Sequence, residues 1–454
     1  MHRMNDVVDA YELSPLQQGM LFHALSAPGS GVDIEQIVFT LDERLDVAVF
    51  EQAMTEVMAR YPMLRTRLRW KDVGEPCQEV LARPAMPTTV ADWSDVTPEV
   101  ARQRFDGQVR ADRRRDFDLS RAPMMRLFVA QFPGGQSRVL WTFHHAMGDG
   151  RSFIVLREWF AFYDAARRGE VLSLPQARPF RDYIVWRRSL DSAAAEQFWR
   201  TTLGSFDAST PFGIDAAKSG GSGDAFVDTR ERRLSLESSD RLREAAVRAG
   251  VTVNTMLQAA WAVLLHCYSG ESDIVFGATR AGRVTGVPDV ESIAGLFINT
   301  LPLRVEVDDD AEVVPWLQSL RAQQIALRPY DHTPLATVQA CSGITRGDKL
   351  FESVVVYDHQ TLDALIHMPG RRVDYTGRTN FPLALRGWGD AGDDEMLLRL
   401  EYSTARFSDA AVTRMLEHLV NLLTRLADQD VTHVRDLDPV GTEIGRASCR
   451  ERVY

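Results

Sequence analysis

The chain has 454 residues, 63 acidic against 52 basic side chains, a formal net charge of −11, 45% hydrophobic and 25% charged residues. Such figures describe an ordinary globular protein, and at about 150 residues per domain they fit roughly three domains or two large lobes. The acidic balance excludes a general phosphate-backbone binder, so no nucleic-acid partner is expected. Cys77, Cys267, Cys341 and Cys449 lie far apart with no CxxC pair, which points to a reducing compartment. With no signal-peptide core and no run of about 18 apolar residues, the expectation is a cytoplasmic protein that makes no membrane contact.

Ser14-Pro15 reads as an N-cap followed by proline at the first helical position, opening a helix through Leu16, Met20, Leu21 and Phe22. Ile37, Phe39 and Leu41 then alternate with Gln36 and Thr40 as in a half-buried strand. A helix follows, capped by Asp46, with Phe50, Ala53, Met54, Val57, Met58 and Tyr61 at helical spacing. Strands are expected over 64–70, 125–131 and 139–145, and a long helix from about Ser152 to Arg168, an alternation that implies a layered α/β fold. Two helical pieces, 180–188 and 192–203, and the loop-like Ser-Gly run 218–223 lead to a second α/β series beginning near Thr229. Its helices over 240–249 and 254–268 are each followed closely by a glycine stop. Further strands are expected over 273–277, 297–307, 353–357 and 396–402, and helices over 314–327 and 409–428.

The segment Val139-Leu140-Trp141-Thr142-Phe143-His144-His145-Ala146-Met147-Gly148-Asp149-Gly150 concentrates the chemistry. Strand alternation puts Val139, Trp141, Phe143 and His145 on one face and Leu140, Thr142 and His144 on the other. The two histidines therefore point apart, and with Asp149 they do not make a convergent metal site. Gly148 and Gly150 would let the backbone turn tightly and swing Asp149 back towards the strand end, before a helix capped by serine near 152. A histidine there has a reference pKa of about 6.5 and suits proton handling. A core histidine beside a turn aspartate fits the spacing at least as well.

HHAMGDG resembles the HHxxxDG signature of the condensation domains of nonribosomal peptide synthetases, within the chloramphenicol-acetyltransferase-like acyltransferases. The run from Ser14 to His23 is similar to that family's first motif, and Arg60-Tyr61-Pro62-Met63-Leu64-Arg65-Thr66 resembles its RHxxLRT motif. Phe180 to Trp186 is similar to the motif at the lobe connection, and Ile293 to Arg304 resembles GxFxNTxxxR. Tyr330 to Leu335 and Asn380-Phe381-Pro382-Leu383 match later motifs more loosely. The resemblance runs in the family's order from about Tyr11 to Asp436.

The resemblance implies two chloramphenicol-acetyltransferase-like α/β lobes in a V-shaped pseudodimer, with a tunnel between them and His145 midway. The expected division is an N-terminal lobe over 1–176 carrying HHxxxDG, a C-terminal lobe over 177–436 including the lobe connection, and a linker start with an artefactual tail over 437–454. The tail Glu443 to Tyr454 lacks periodicity, and it resembles an in-frame translation of a sequencing-library adapter. The implied activity joins a donor acyl or peptidyl thioester to the amine of an aminoacyl thioester. Both substrates are presented on phosphopantetheine arms of donor and acceptor carrier domains, with no bound cofactor or metal and an adenylation domain downstream.

His145 is then the catalytic candidate, as proton acceptor or as a hydrogen-bonding group for the amine and the oxyanion. His144 and Gly150 are structural members of the motif, and Asp149 is expected to form an ion pair with Arg304 or Arg65. Asn299, Thr300 and Asn380 are tunnel-lining candidates, although Asn-Thr at a strand end is also an ordinary sheet-edge pairing. The cluster Arg110, Arg113, Arg114 and Arg115 reads as a solvated helix face rather than a docking surface. An epimerisation domain, a non-catalytic recruitment domain and a coenzyme A-dependent O-acyltransferase are the competing readings.

Overall fold

The computed structural model describes residues 6–214, 227–283, 285–345, 347–358, 368, 370–389 and 395–440. The Ser-Gly run over 218–223, Cys449 and the tail from Glu443 lie outside the described residues.

The chain forms two compact units, and neither is contiguous. The first takes Met1–Leu190 together with Ala281–Ile298 and Leu362–Asn380; the second takes Asp191–Arg280, Asn299–Thr361 and Phe381–Tyr454.

In the first unit a five-stranded sheet has the spatial order Arg371–Thr376, Ile34–Leu41, Ser137–His144, Met125–Gln131, Thr88–Asp92. Neighbours are antiparallel except the last pair, Thr88–Asp92 beside Met125–Gln131. The strand Ser137–His144 is buried on both faces because a helical layer covers each. Trp141 and Phe143 enter the core with Phe39, Phe50, Trp159 and Phe160, which the helices Val47–Arg60 and Ile154–Arg167 share. Leu140 instead meets Phe105 of the helix Pro98–Arg113 and Phe128. This two-faced burial follows directly from the period-2 pattern of the strand. A smaller antiparallel sheet joins Val7–Glu12, Cys77–Leu81 and Thr66–Arg69.

In the second unit a six-stranded sheet has the order Asn299–Glu306, Asp273–Arg280, Ser353–Asp358, Leu383–Trp388, Leu397–Ser403, Val227–Arg233. Its core forms around the helix Val253–Ser269, most of whose residues are buried, with the amphipathic helix Asp409–Ala427 against it. Helices Leu236–Ala249 and Val253–Ser269 end at Gly250 and Gly270, whose φ of 71° and 76° supplies the left-handed stop their sequences suggest.

Several expectations change. The strand reaching the histidines ends at His144, not His145, and His145–Met147 is a short 3-10 turn. The following helix begins at Ile154, after a 3-10 turn Gly150–Phe153 capped by Asp149, so Ser152 is not its cap. Arg113 does not belong to a solvated face: it is buried, and its guanidinium donates to the carbonyls of Ile34 and Thr376.

Candidate active site

His145 leaves the sheet at the point where its main-chain N–H donates to the Asp33 carbonyl at 2.8 Å. The 3-10 turn then brings the Gly148 carbonyl within 3.0 Å of His145 Nδ1. A carbonyl oxygen only accepts, so Nδ1 carries the proton and Nε2 keeps its lone pair. The ring is half-buried, with no hydrogen-bond partner for Nε2 among the described residues. This tautomer can accept a proton or a hydrogen bond at Nε2.

His144 differs in every respect. It is 3% exposed, on the Leu140 and Thr142 face of the strand, with its ring edge-on to Phe117. Its Nδ1 accepts the Ala146 N–H at 3.2 Å, which requires a neutral imidazole. Burial, only partly offset by Asp33, pushes its pKa down to about 4.

The loop after His145 is held from two sides. Gln17, fully buried, belongs to a capping box with Ser14 and donates Nε2 to the Ala146 carbonyl at 2.9 Å. Asp149 reaches into the stretch Ala281–Ile298, and its side chain is 0% exposed. Its Oδ1 accepts from Arg283 Nη2 at 3.2 Å and the Arg151 N–H at 3.1 Å. Its Oδ2 accepts from the N–H groups of Phe297 and Ile298 at 2.9 and 3.3 Å. A carboxylate so fully occupied anchors a loop and has no lone pair to spare for chemistry.

Asp149 therefore pairs with neither of its expected partners. Arg65 donates to the carbonyls of Met58, Leu81 and Ala82. Arg304 forms a two-pronged ion pair with Asp273 at 2.7 to 3.2 Å and also donates to the Thr202 carbonyl. Both positions lie where main-chain carbonyls or a neighbouring strand satisfy the guanidinium. Arg283 carries no local sequence signal; it sits in an irregular segment, and only the fold brings it to Asp149, with its guanidinium 4.1 Å above the Phe297 ring.

Gly148 is extended, with φ 174°, so the turn does not need a left-handed glycine; it needs room. A Cβ there would lie 2.8 Å from Ser152 Oγ, which itself bonds both the carbonyl and the N–H of Gly295. Gly150 is exposed, and a Cβ on it would meet nothing within 4 Å.

Asn299 and Thr300 open the edge strand of the second unit. The Asn299 amide donates to the carbonyls of Asp331 and Thr333, and Thr300 is buried beside Thr279. Asn380 is exposed and donates to His23 Nε2 at 3.0 Å, while His23 Nδ1 lies 3.1 Å from the Asp33 carboxylate. Asn380 is thus linked through His23 and Asp33 to the main chain of His145, whereas Asn299, Thr300 and Arg304 belong to the second unit. His23 and Gln17 stood inside the first motif, but nothing in its spacing told which of its polar residues touch the histidine loop.

Residues 7–443 match the family model described as Condensation domain. One of the proteins that make up the linear gramicidin synthase of Brevibacillus parabrevis is 34% identical over 437 residues, covering 94% of this chain and 6% of that protein. Another protein of the same synthase is 35% identical over 438 residues, covering 95% of this chain and 8% of that protein. The chain therefore spans less than a tenth of the length of these relatives. Among solved structures, the X-domain from teicoplanin biosynthesis matches at TM-score 0.79 with 22% identity, covering 96% of this chain and 98% of that one. The starter condensation domain of rhizomide synthetase matches at TM-score 0.77 with 18% identity, covering 95% and 99%. These likenesses show the fold, α/β with two chloramphenicol-acetyltransferase-like lobes. The chain belongs to the condensation-domain family of nonribosomal peptide synthetases.

Proposed function

We propose that this chain forms an amide bond between a donor acyl or peptidyl thioester and the amine of an aminoacyl thioester, each carried on the phosphopantetheine arm of a carrier domain. The observation that carries this reading is the tautomer of His145, whose Nδ1 is spent on Gly148 and whose Nε2 is free of any described partner. Two neighbours lend support: a variant of the rhizomide starter condensation domain is described in complex with C8-CoA and Leu-SNAC, and a four-domain synthetase contains a chain segment of this fold. An adenylation domain following in the same polypeptide is part of the proposal.

In this reaction the amine nitrogen attacks the thioester carbonyl, the C–N bond forms, and the carbonyl oxygen takes the negative charge. Collapse breaks the C–S bond, and the thiolate leaves with the proton lost by the amine. An α-amine of pKa about 7.7 to 8.0 is already on the order of a tenth neutral at pH 7. Holding two tethered reactants together supplies about 7 to 11 kcal/mol, more than the 10²- to 10⁴-fold that proton transfer gives. His145 Nε2 serves as acceptor for the amine proton or, once protonated, as donor to the oxyanion. No resident cofactor or metal enters these steps.

Purified carrier domains loaded with donor and acceptor should give an amide with the wild-type chain, and His145→Ala should lose on the order of 10²-fold or more in rate. Undiminished amide formation removes His145 from the mechanism. Stereochemical inversion of a carrier-bound thioester without any amide makes this an epimerisation domain. Absence of both reactions favours a recruiting role.

A further inference from the structure

The strand Ile34–Leu41 begins directly after Asp33, whose φ is +60°. That is the left-handed region, which costs most residues other than glycine and is best tolerated by Asp and Asn. The Asp33 main-chain N–H donates to the Arg378 carbonyl at 3.3 Å, and its side chain is held as well. The Asp33 carboxylate, 8% exposed, meets His23 Nδ1 at 3.1 Å, and the far side of the His23 ring takes the Asn380 amide at 3.0 Å. Since the carboxylate only accepts, Nδ1 is the donor and Nε2 accepts from Asn380. Both ring nitrogens are thus occupied.

The Asp33 carbonyl, whose direction that left-handed backbone sets, is the group that receives the His145 N–H at 2.8 Å. It extends the ladder by one rung past the Ile34 and His144 pair, at the point where the partner strand breaks into its 3-10 turn. We infer that Asp33 and His23 are positioning residues for His145. The imidazole grips the carboxylate, the carboxylate fixes the left-handed backbone, and the carbonyl fixes the His145 main chain, so Nδ1 meets Gly148 and Nε2 is presented in one direction. The activity arm of the test below rests on the reading of His145 given above.

The variants separate backbone from side chain. Asp33→Gly tolerates the left-handed conformation without the carboxylate, whereas Asp33→Asn tolerates it and keeps an oxygen for His23. His23→Leu removes the donor, and His23→Asn keeps an amide N–H near the position of Nδ1. In the carrier assay, Asp33→Gly and His23→Leu should lower kcat by about ten- to a hundred-fold, as small misplacements do, with KM for both carriers nearly unchanged. Asp33→Asn and His23→Asn should recover most of that loss. Independently of activity, hydrogen exchange over residues 144–148 in the whole chain should speed up at least about ten-fold in the Gly and Leu variants. The rest of the sheet should keep its protection.

Unchanged exchange over 144–148 in both variants overturns the inference whatever the activity, as does wild-type kcat in both. If His23→Leu does not fold, Asp33→Gly against Asp33→Asn decides it. A wild type that forms no amide while exchange responds as stated sinks the assigned reaction and leaves the positioning role standing.

Discussion

Asp149 and Arg283, 134 positions apart in the chain, meet in an ion pair 3.2 Å long from which solvent is almost wholly excluded. Arg283 also donates to the carbonyls of Val290 and Ile293, so the pair fastens the whole stretch Ala281–Ile298 against the histidine loop. The motif aspartate is thus the peg on which a distant segment hangs, and it holds the Gly148 carbonyl in place for His145 only indirectly.

Asp149→Asn should therefore act first on stability. Its two oxygens accept only from donors, so an amide must turn its NH₂ either towards the guanidinium or towards the N–H groups of Phe297 and Ile298. Leaving a buried charge without its partner costs about 3 to 5 kcal/mol. Urea unfolding should show a midpoint lowered to match, with activity falling alongside. A variant of wild-type stability that is inactive would place the carboxylate in the chemistry instead.

Gly148→Ala should destabilise by about 1 to 3 kcal/mol, the usual cost of forcing an extra methyl into a filled space. The added Cβ would push on Ser152, whose hydroxyl ties the loop to Gly295. Because the clash and the lost bonds share one side chain, Ser152→Ala in the same chain should be less than additive with it. Strict additivity in thermal unfolding would mean the clash is with the Ser152 Cβ, 2.9 Å from the added methyl and kept by alanine, and not with the hydroxyl. Gly150→Ala, with nothing near its Cβ, should leave the melting temperature within about 1 °C, as exposed substitutions usually do.

Much of this site could be read from local pattern. The alternation through Val139, Trp141 and Phe143 puts His144 on the opposite face with Leu140 and Thr142, whereas His145 is turned by the 3-10 segment that follows the strand, and the caps at Ser14 and Asp46 lie where serine and aspartate were expected. What escaped depends on contacts made far along the chain. Arg283 and Asp33 lie in irregular segments where no periodicity marks a partner. The strand Arg371–Thr376 buries only Val373 fully, so its alternation is too faint to stand out, and its pairing with Ile34–Leu41 spans more than three hundred residues. Pro98–Arg113 begins with Thr97-Pro98, the same cap-and-proline start as Ser14-Pro15, but its apolar face is little more than Ala101 and Phe105.

That returning strand supplies another test. Arg371 bonds Glu43 and Asp164 together and lies 4.7 Å over the Phe160 ring. Both carboxylates are more than a third exposed, so water screens part of the attraction, and Arg371→Met should cost about 1 to 2 kcal/mol. Arg371→Lys should recover little, since an ammonium lacks the planar fork that spans two carboxylates. Hydrogen exchange should locate the loosening in the strands 371–376 and 34–41. A uniform loss of protection across the first unit would mean the contact is not local.

The buried imidazole of His144 makes stability depend on pH in a defined direction. Burial holds its pKa at about 4, below the 6.5 of an exposed histidine, so the folded chain keeps it neutral to accept the Ala146 N–H. Between those two values the unfolded chain binds a proton that the folded chain refuses. Its contribution is therefore complete above pH 6.5, declines as the pH falls towards 4, and is constant below that. At about 1.4 kcal/mol per pKa unit the whole effect is about 3 kcal/mol. His144→Asn keeps an acceptor near the place of Nδ1 and has no proton to gain. Its denaturation midpoint, measured from pH 7 to 5, should fall less steeply than that of the wild type. His418, also held below its usual pKa by burial, lies in the second unit and stays in both proteins, so it cancels from the difference. Parallel slopes for the two proteins would show that His144 titrates as an exposed residue and that the packed, neutral role assigned to it is wrong.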